Sequence, residues 1–188
     1  MSTLVDTNVL LRRTQPDHEI HSLAVESVAL LLESGEPVYF TPQNISEFWN
    51  VATRPQTQNG LGLSVALTAG EVTKIEQALI LLPDSPAAYA EWKRLVLVHG
   101  VIGAKVHDAR LVAAMNVHGI GRILTFNIDD FKRYDIEVLH PSSIRPGASA
   151  SPVLKARSLR ARARARPGQE PRRGRRAGYQ ANRVMRSR

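Results

Sequence analysis

The stretch that decides the fold of this chain is Leu4-Val5-Asp6-Thr7-Asn8-Val9-Leu10-Leu11. Leu4 and Val5 predict the end of a buried strand, and the apolar residues after Asn8 predict a helix. Asp6 lies at the junction, where an ionised side chain would point into the crevice above a sheet. The alternative is that Asp6 only caps the helix, a position that Asp fills well. The residues alone leave both interpretations open.

Outward from this stretch, short apolar runs alternate with amphipathic stretches as far as Ile144. We predict further strands at 38–41, 78–82, 122–126 and 137–139, and helices at 20–32, 45–53, 64–77, 89–99 and 106–118. Strands separated by helices need crossover connections. The sequence therefore predicts an α/β fold, a three-layer α/β/α domain with a central, mostly parallel sheet. In such sheets, sites form outside the carboxyl ends of the strands.

The charge of the chain is divided unevenly between two segments. The net charge is +8, but residues 145–188 hold 14 of the 25 Lys and Arg and only one acid, Glu170. Residues 1–144 are therefore acidic overall. The segment 145–188 has almost no large apolar residues, so we predict a domain at 1–144 and a disordered arginine-rich tail at 145–188. The tail would bind phosphates, or it is a readthrough or shifted-frame extension without a selected role.

Several classes of protein are excluded or disfavoured by composition. The chain has no cysteine, which excludes disulfides and thiolate metal sites. It has no glycine-rich loop for a dinucleotide or a nucleoside triphosphate, and Asn8 stands where an Asp-x-Asp phosphatase needs its second acid. Residues 1–6 lack the basic region of a signal peptide, and no apolar run approaches the roughly 18 residues of a membrane span. We expect a soluble, cytoplasmic protein without membrane contact.

Further polar residues accompany the other predicted elements. Glu47 and Asp108 lie early in two helices, and Asn127 and Asp130 follow the strand at 122–126. Each has a simpler interpretation: a solvated helix face for Glu47, a helix start for Asp108, and an Asx turn for Asn127. Together with Asp6, however, they are predicted at one end of a parallel sheet, where clustered acids repel one another. Mg²⁺ or Mn²⁺ would relieve that repulsion and suits phosphoryl chemistry, whereas zinc is disfavoured.

Four segments in this order resemble the PIN-domain family, and within it the VapC-type toxins of bacterial toxin–antitoxin pairs. They are Leu4-Val5-Asp6-Thr7-Asn8-Val9-Leu10, Asn44-Ile45-Ser46-Glu47-Phe48, His107-Asp108-Ala109-Arg110-Leu111-Val112-Ala113-Ala114, and Leu124-Thr125-Phe126-Asn127 with Asp130-Phe131. The match spans nearly all of residues 2–144. The resemblance implies an α/β/α fold and an endoribonuclease that uses Mg²⁺ or Mn²⁺.

The resemblance also implies roles for individual residues. Asp6 and Asp108 would be the principal metal ligands, and Glu47 would bind metal or orient the attacking water. Thr125 and Asn8 would hold the site by hydrogen bonds. The family's fourth acidic position is often Asp and is Asn127 here, which lowers the charge of the site. Asp130 would partly compensate for that charge, or it would face solvent.

The partners follow from the same resemblance. It implies an RNA substrate, a homodimer and an antitoxin protein that blocks the active site. Cleavage of DNA stays open, because a carboxylate–metal site needs no 2′-hydroxyl. The alternative from another class is a PIN-fold module that binds RNA or a partner protein with little or no catalysis, which the change to Asn127 would favour.

Overall fold

The computed structural model of the protein describes residues 1–145. The prediction of disorder for 145–188 lies, apart from Arg145, outside these residues. The strands are β1 (Thr3–Val5), β2 (Val38–Phe40), β3 (Ile80–Leu81), β4 (Arg122–Leu124) and β5 (Glu137–Leu139). The helices are α1 (Thr7–Arg13), α2 (His21–Glu33), α3 (Pro42–Thr53), α4 (Val65–Ala78), α5 (Pro86–Val98), α6 (Lys105–His118) and α7 (Ile128–Phe131). Across 1–145, no helix is long and apolar enough to cross a membrane.

The five strands form one parallel sheet in the order β3-β2-β1-β4-β5. β1 is the central strand, and Val5 pairs with Leu124 of β4. Thr3, Leu4 and Val5 are fully buried, because β1 has a neighbouring strand on each edge and helices over each face. The predicted α/β fold with a parallel sheet is confirmed.

The core consists of two apolar clusters, one on each face of the sheet. Successive strand residues point to opposite faces, so Val5 and Leu124 belong to one cluster and Leu4 and Ile123 to the other. The first cluster includes residues of α1 to α4, and the second includes residues of α5 to α7. This division gives the three layers of the α/β/α arrangement.

Helix α3 begins earlier than the sequence predicts, and this places two more polar side chains near Glu47. Its first residue is Pro42, not residue 45, and Pro is favoured in the first turn of a helix because it lacks an N–H. Thr41 caps the helix: its Oγ1 accepts the Asn44 N–H at 3.2 Å, and Asn44 Oδ1 accepts the Thr41 N–H at 2.8 Å. Gln43 and Asn44 thus lie one helical turn before Glu47.

Three other bounds differ from the prediction. Helix α5 begins at Pro86 rather than at residue 89, with Ser85 accepting the Ala88 N–H as its cap. Helix α7 was not predicted, since four residues are too few to show a helical period; an Asx turn was one of the two interpretations of Asn127. Strand β4 ends at Leu124, two residues early, so Thr125 lies just beyond the strand end.

Candidate active site

The candidate site lies at the carboxyl edge of the two central strands. Asp6 directly follows β1, and Thr125 directly follows the adjacent strand β4. The Asp6 N–H donates to the Leu124 carbonyl oxygen at 2.9 Å, which extends the strand pairing by one step. Because parallel strands end at the same edge, residues 119 positions apart in sequence become direct neighbours.

Asp6 is held by hydrogen bonds and does not cap α1 with its side chain. Its Oδ2 accepts the Thr125 hydroxyl at 2.7 Å and the Asn8 side-chain amide at 2.8 Å. The Asn8 amide also donates to Thr125 Oγ1 at 3.0 Å, and Asn8 Oδ1 accepts the Phe126 N–H at 3.2 Å. Asp6 occupies the N-cap position without a capping side-chain bond. The structure therefore favours the site interpretation of Asp6 over the capping interpretation.

Glu47 reaches the same edge from α3 and is fixed at both carboxylate oxygens. Thr7 donates its hydroxyl to Glu47 Oε2 at 2.8 Å, and the Gln43 side-chain amide donates to Oε1 at 2.7 Å. Asn44 in turn donates to Thr7 Oγ1 at 3.1 Å, so the residue that pairs with the Thr41 cap also orients the hydroxyl of Thr7. The Glu47 side chain is 32% exposed. It is not simply part of a solvated helix face.

Asp108 enters from the first turn of α6, beside a lysine and a second acid. Lys105 Nζ lies 3.8 Å from Asp108 Oδ2 and also forms an ion pair with Asp130 Oδ1. The three side chains are half-buried, with 22% exposure for Asp108. An acid in a first helical turn is also favourable to the helix itself. Asp108 therefore serves the helix and faces the other acids at once.

Burial and mutual repulsion raise the pKa values of the two central acids. The pKa of Asp6 rises to about 6, first because the carboxyl is buried and then because Asp108 and Glu47 are near; the Thr125 hydrogen bond opposes the rise. The pKa of Asp108 also rises to about 6, first through burial and then through Asp130, while Lys105 opposes the rise. The acids are thus close enough to influence one another.

Asn127 and Asp130 have different surroundings. Asn127 is exposed and lies at the N-cap of α7, where its side chain makes no capping bond, so the Asx-turn interpretation does not hold. Its backbone N–H donates to Thr125 Oγ1 at 2.9 Å. The Asp130 carboxylate lies close enough to the Asp108 carboxyl to raise its pKa, and it pairs with Lys105. A direct part for the Asn127 side chain in the site stays a prediction.

The donor chemistry of the site fits a hard divalent cation. Among residues 1–145, no three His, Asp or Glu side chains are gathered into a ready metal cluster. Mg²⁺, however, is commonly held by one or two carboxylates and keeps several waters. Asp6 and Asp108 supply two carboxylates whose pKa values are raised by burial, and a cation would stabilise their ionised forms. These two acids are the residues that would hold it.

Sequence reasoning missed four residues that shape the site: Thr7, Gln43, Asn44 and Lys105. Gln43 is four residues before Glu47 and Lys105 three before Asp108, and both spacings place side chains on one helix face. These spacings would have indicated both contacts if the first residues of α3 and α6 had been predicted correctly. The contact between Thr7 and Glu47 depends on the packing of α1 against α3 and has no local signal.

Comparison with known proteins gives one family match. The model of the PIN domain family matches residues 3–137. Among curated proteins, none matches the chain.

Several solved structures share the fold at low sequence identity. VapBC bound to DNA from Salmonella typhimurium has a TM-score of 0.55 and 15% identity, with 75% of this chain and 98% of that chain covered. VapBC2 from Rickettsia felis, bound to a promoter DNA fragment, has a TM-score of 0.54 and 14% identity, covering 74% and 98%. VapC20 from Mycobacterium tuberculosis, described as a sarcin–ricin loop cleaving toxin, has a TM-score of 0.54 and 17% identity, covering 72% and 99%. At these identities the likeness is one of fold.

Proposed function

The chain belongs to the PIN domain family, and from this premise we propose that it is a metal-dependent endoribonuclease, the VapC-type toxin of a toxin–antitoxin pair. The observation that carries the proposal is the convergence of Asp6, Glu47 and Asp108 at one sheet edge. The three acids come from three different elements, and two of them have pKa values raised by burial and by their neighbours. A purely structural edge would not need three partly buried acids that repel one another.

Asp6 and Asp108 are proposed to hold one Mg²⁺ or Mn²⁺. Such an ion lowers the pKa of a water molecule and neutralises phosphate charge when it is bound. Asn8 and Thr125 would keep the Asp6 carboxyl in a single orientation through their hydrogen bonds to Oδ2. Hydrogen-bonded groups behind a ligand are typically worth 10–100-fold in metal affinity.

Glu47 is proposed to orient the attacking water and to accept its proton. Thr7 and Gln43 hold one carboxylate oxygen each, so the carboxylate cannot rotate away from the edge. Each oxygen keeps a free lone pair after these contacts, since a carboxylate has about four acceptor positions. Glu47 can therefore accept a further hydrogen bond from water. Asn127, exposed beside the edge, is proposed to bind substrate through its amide.

The proposed partners are an RNA substrate, a cognate antitoxin and a second copy of the chain. RNA is supported by the family and by a structural neighbour described as a sarcin–ricin loop cleaving toxin. An antitoxin is supported by neighbours that are VapBC and FitAB assemblies, several of them bound to DNA. The homodimer and the cytoplasmic location are part of the proposal on the grounds given in the sequence analysis alone.

The test is cleavage of a mixed pool of structured RNA by the full chain. It is run with Mg²⁺, with Mn²⁺ and with EDTA, beside Asp6→Asn, Asp108→Asn and the control Asp129→Asn. Asp129 is an α7 acid with an 84% exposed side chain that pairs with Lys132. We expect metal-dependent cutting by the wild type and the control, and loss in the other two variants. A parallel DNA substrate of the same length tests the preference for RNA.

The opposite outcome has a defined meaning. A folded wild-type chain that binds the RNA pool but cuts it with neither metal would overturn the nuclease proposal in favour of a binding module. Cutting that persists in EDTA, or in both site variants, would remove Asp6 and Asp108 from the reaction.

A further inference from the structure

A groove beside the carboxylate edge has the composition of a nucleobase site. It opens between α5 and α6 with a volume of about 550 Å³, within the usual range of ligand sites. Two aromatic rings of α5, Tyr89 and Trp92, line it together with apolar residues. The complete lining is Asp84, Ser85, Pro86, Ala88, Tyr89, Trp92, Val106, His107, Arg110 and Ala114.

The two aromatic residues differ in hydrogen bonding and in exposure. The Trp92 ring is fixed, because its indole N–H donates to the Val106 carbonyl oxygen at 3.0 Å and so ties α5 to α6. Tyr89 is 64% exposed, with its ring centroid 5.9 Å from that of Trp92 and a 37° angle between the planes. Because Tyr89 is so exposed, much of the apolar surface of its ring is in contact with water. A flat apolar ligand would cover that surface.

Small residues and a polar rim complete the groove. Ala88 and Ala114 are both buried, and their short side chains leave space between the two helices. On the rim, the Arg110 guanidinium donates to Asp84 Oδ2 at 3.1 Å. The groove thus offers flat aromatic rings to the faces of a ligand and hydrogen-bonding groups to its edge. A nucleobase fits this arrangement, because its faces are apolar and its edge is polar.

The groove is continuous with the carboxylate edge through His107. His107 is one of the residues that line the groove, and its Nδ1 lies 3.7 Å from Glu47 Oε1. Its carbonyl oxygen accepts the Gln43 amide at 2.9 Å. The next residue along α6 is Asp108. A strand whose phosphate lies over the acids therefore has a neighbouring base within reach of the groove.

We propose that this groove is a subsite for one unpaired base of a single-stranded RNA segment, stacked on Tyr89 and Trp92 beside the phosphate to be cut. The inference rests on the proposed function, because RNA is the substrate there. It adds a requirement that the segment at the cut be unpaired. Base edges carry donors and acceptors that can pair with the Arg110 and Asp84 side chains on the rim of the groove.

The experiment measures binding of the full chain to a short single-stranded RNA that carries 2-aminopurine at one position, moved stepwise along the strand. Binding is measured in EDTA over a salt series, so that it does not depend on catalysis. The variants are Tyr89→Ala, Tyr89→Phe and the control Leu67→Ala, which removes a side chain of similar exposure from α4. Thermal melting checks that each variant is folded.

We expect 2-aminopurine fluorescence to be quenched at one position in the wild type, in Tyr89→Phe and in Leu67→Ala. In Tyr89→Ala the quenching is lost and affinity falls roughly tenfold, the usual effect of removing one stacking ring. The affinity gap persists at every salt concentration, since stacking does not depend on released counterions. Binding through arginines of residues 145–188 falls equally in all variants as salt rises.

Quenching at no position, or equal quenching in Tyr89→Ala, would overturn the subsite. So would a Tyr89→Ala variant that binds RNA normally but changes the oligomeric state of the chain, which would make the groove a protein interface. These outcomes are independent of the nuclease test. If the wild type cuts RNA but does not quench 2-aminopurine, only the proposed subsite is contradicted. If it quenches 2-aminopurine but does not cut RNA, only the proposed nuclease reaction is contradicted.

Discussion

Replacing Asp6 by Asn should make the metal-free protein more stable at neutral pH. The folded pKa of Asp6 is raised from 3.8 to about 6, chiefly because the carboxyl is buried. An acid with a raised pKa binds its proton more tightly in the folded state, so the folded state loses stability as pH rises from about 4 to about 6. Above about pH 6 the folded state bears the full free-energy cost of the buried, ionised carboxylate. Asn has nearly the same shape and carries no charge, so the variant escapes the cost.

The size of the effect follows from the pKa difference. A gap of about two units corresponds to about 3 kcal/mol, at roughly 1.4 kcal/mol per unit. This is an upper value, because local relaxation and water reduce the cost of burying a charge. Asp6 is only 8% exposed, so screening by bulk solvent is weak. At pH 4 the two proteins should differ by less than about 1 kcal/mol, since Asp6 is then protonated in the folded protein.

The assay is urea unfolding followed by circular dichroism from pH 4 to 8 in EDTA. Thr125→Val is a useful companion, because it removes the hydroxyl that donates to Asp6 Oδ2 and that lowers the pKa of the carboxyl. That variant should lose stability more steeply between pH 4 and 7 than the wild type. A difference between Asp6→Asn and wild type that does not change with pH would refute the reasoning, because it could not come from a buried charge.

Two further predictions concern ion pairs. Lys105→Met should raise the pKa of Asp108 above its value of about 6, because the positive charge of Lys105 lowers that pKa. The control Lys132→Met removes an exposed lysine that pairs with Asp129, and it should leave the pKa of Asp108 unchanged. Carbon-detected NMR titration of the Asp108 carboxyl measures the pKa in both variants. Glu36→Gln should lower the free energy of unfolding by roughly 3 kcal/mol, because it leaves the buried Arg122 guanidinium without its carboxylate partner; urea unfolding at pH 7 showing no loss would mean that water already solvates the pair.

The fold could be predicted from the sequence because strand and helix patterns alternate along most of residues 1–144. Leu4 and Val5 read as a buried strand, and the structure buries them on opposite faces of the central strand. The strand order was not readable from these patterns. It depends on which crossovers pack together, and it decides that Thr125 lies beside Asp6 rather than on a distant strand.

The candidate site was predictable as a set of acids and less so as a network. Asp6 and Asp108 stand out because each carboxylate adjoins an apolar element at a predicted boundary. The position of Gln43 near Glu47 was not predicted, because the helix was predicted to begin at residue 45, whereas it begins at Pro42, a residue suited to a first helical turn. The contact between Lys105 and Asp130 could not be predicted, because it forms only when α6 packs against α7. Contacts of this kind have no local sequence pattern.

The most direct test of the central claim is a Mn²⁺ titration of the full chain at pH 7.5, with free Mn²⁺ measured by electron paramagnetic resonance. We expect Mn²⁺ to bind to the wild type and to Asp129→Asn. We expect the Mn²⁺ affinity of Asp6→Asn and Asp108→Asn to be roughly tenfold weaker or more, because each variant removes one of two proposed carboxylate ligands. Equal Mn²⁺ affinity in all four proteins would contradict the account, since the acids at the sheet edge would then not form the metal site.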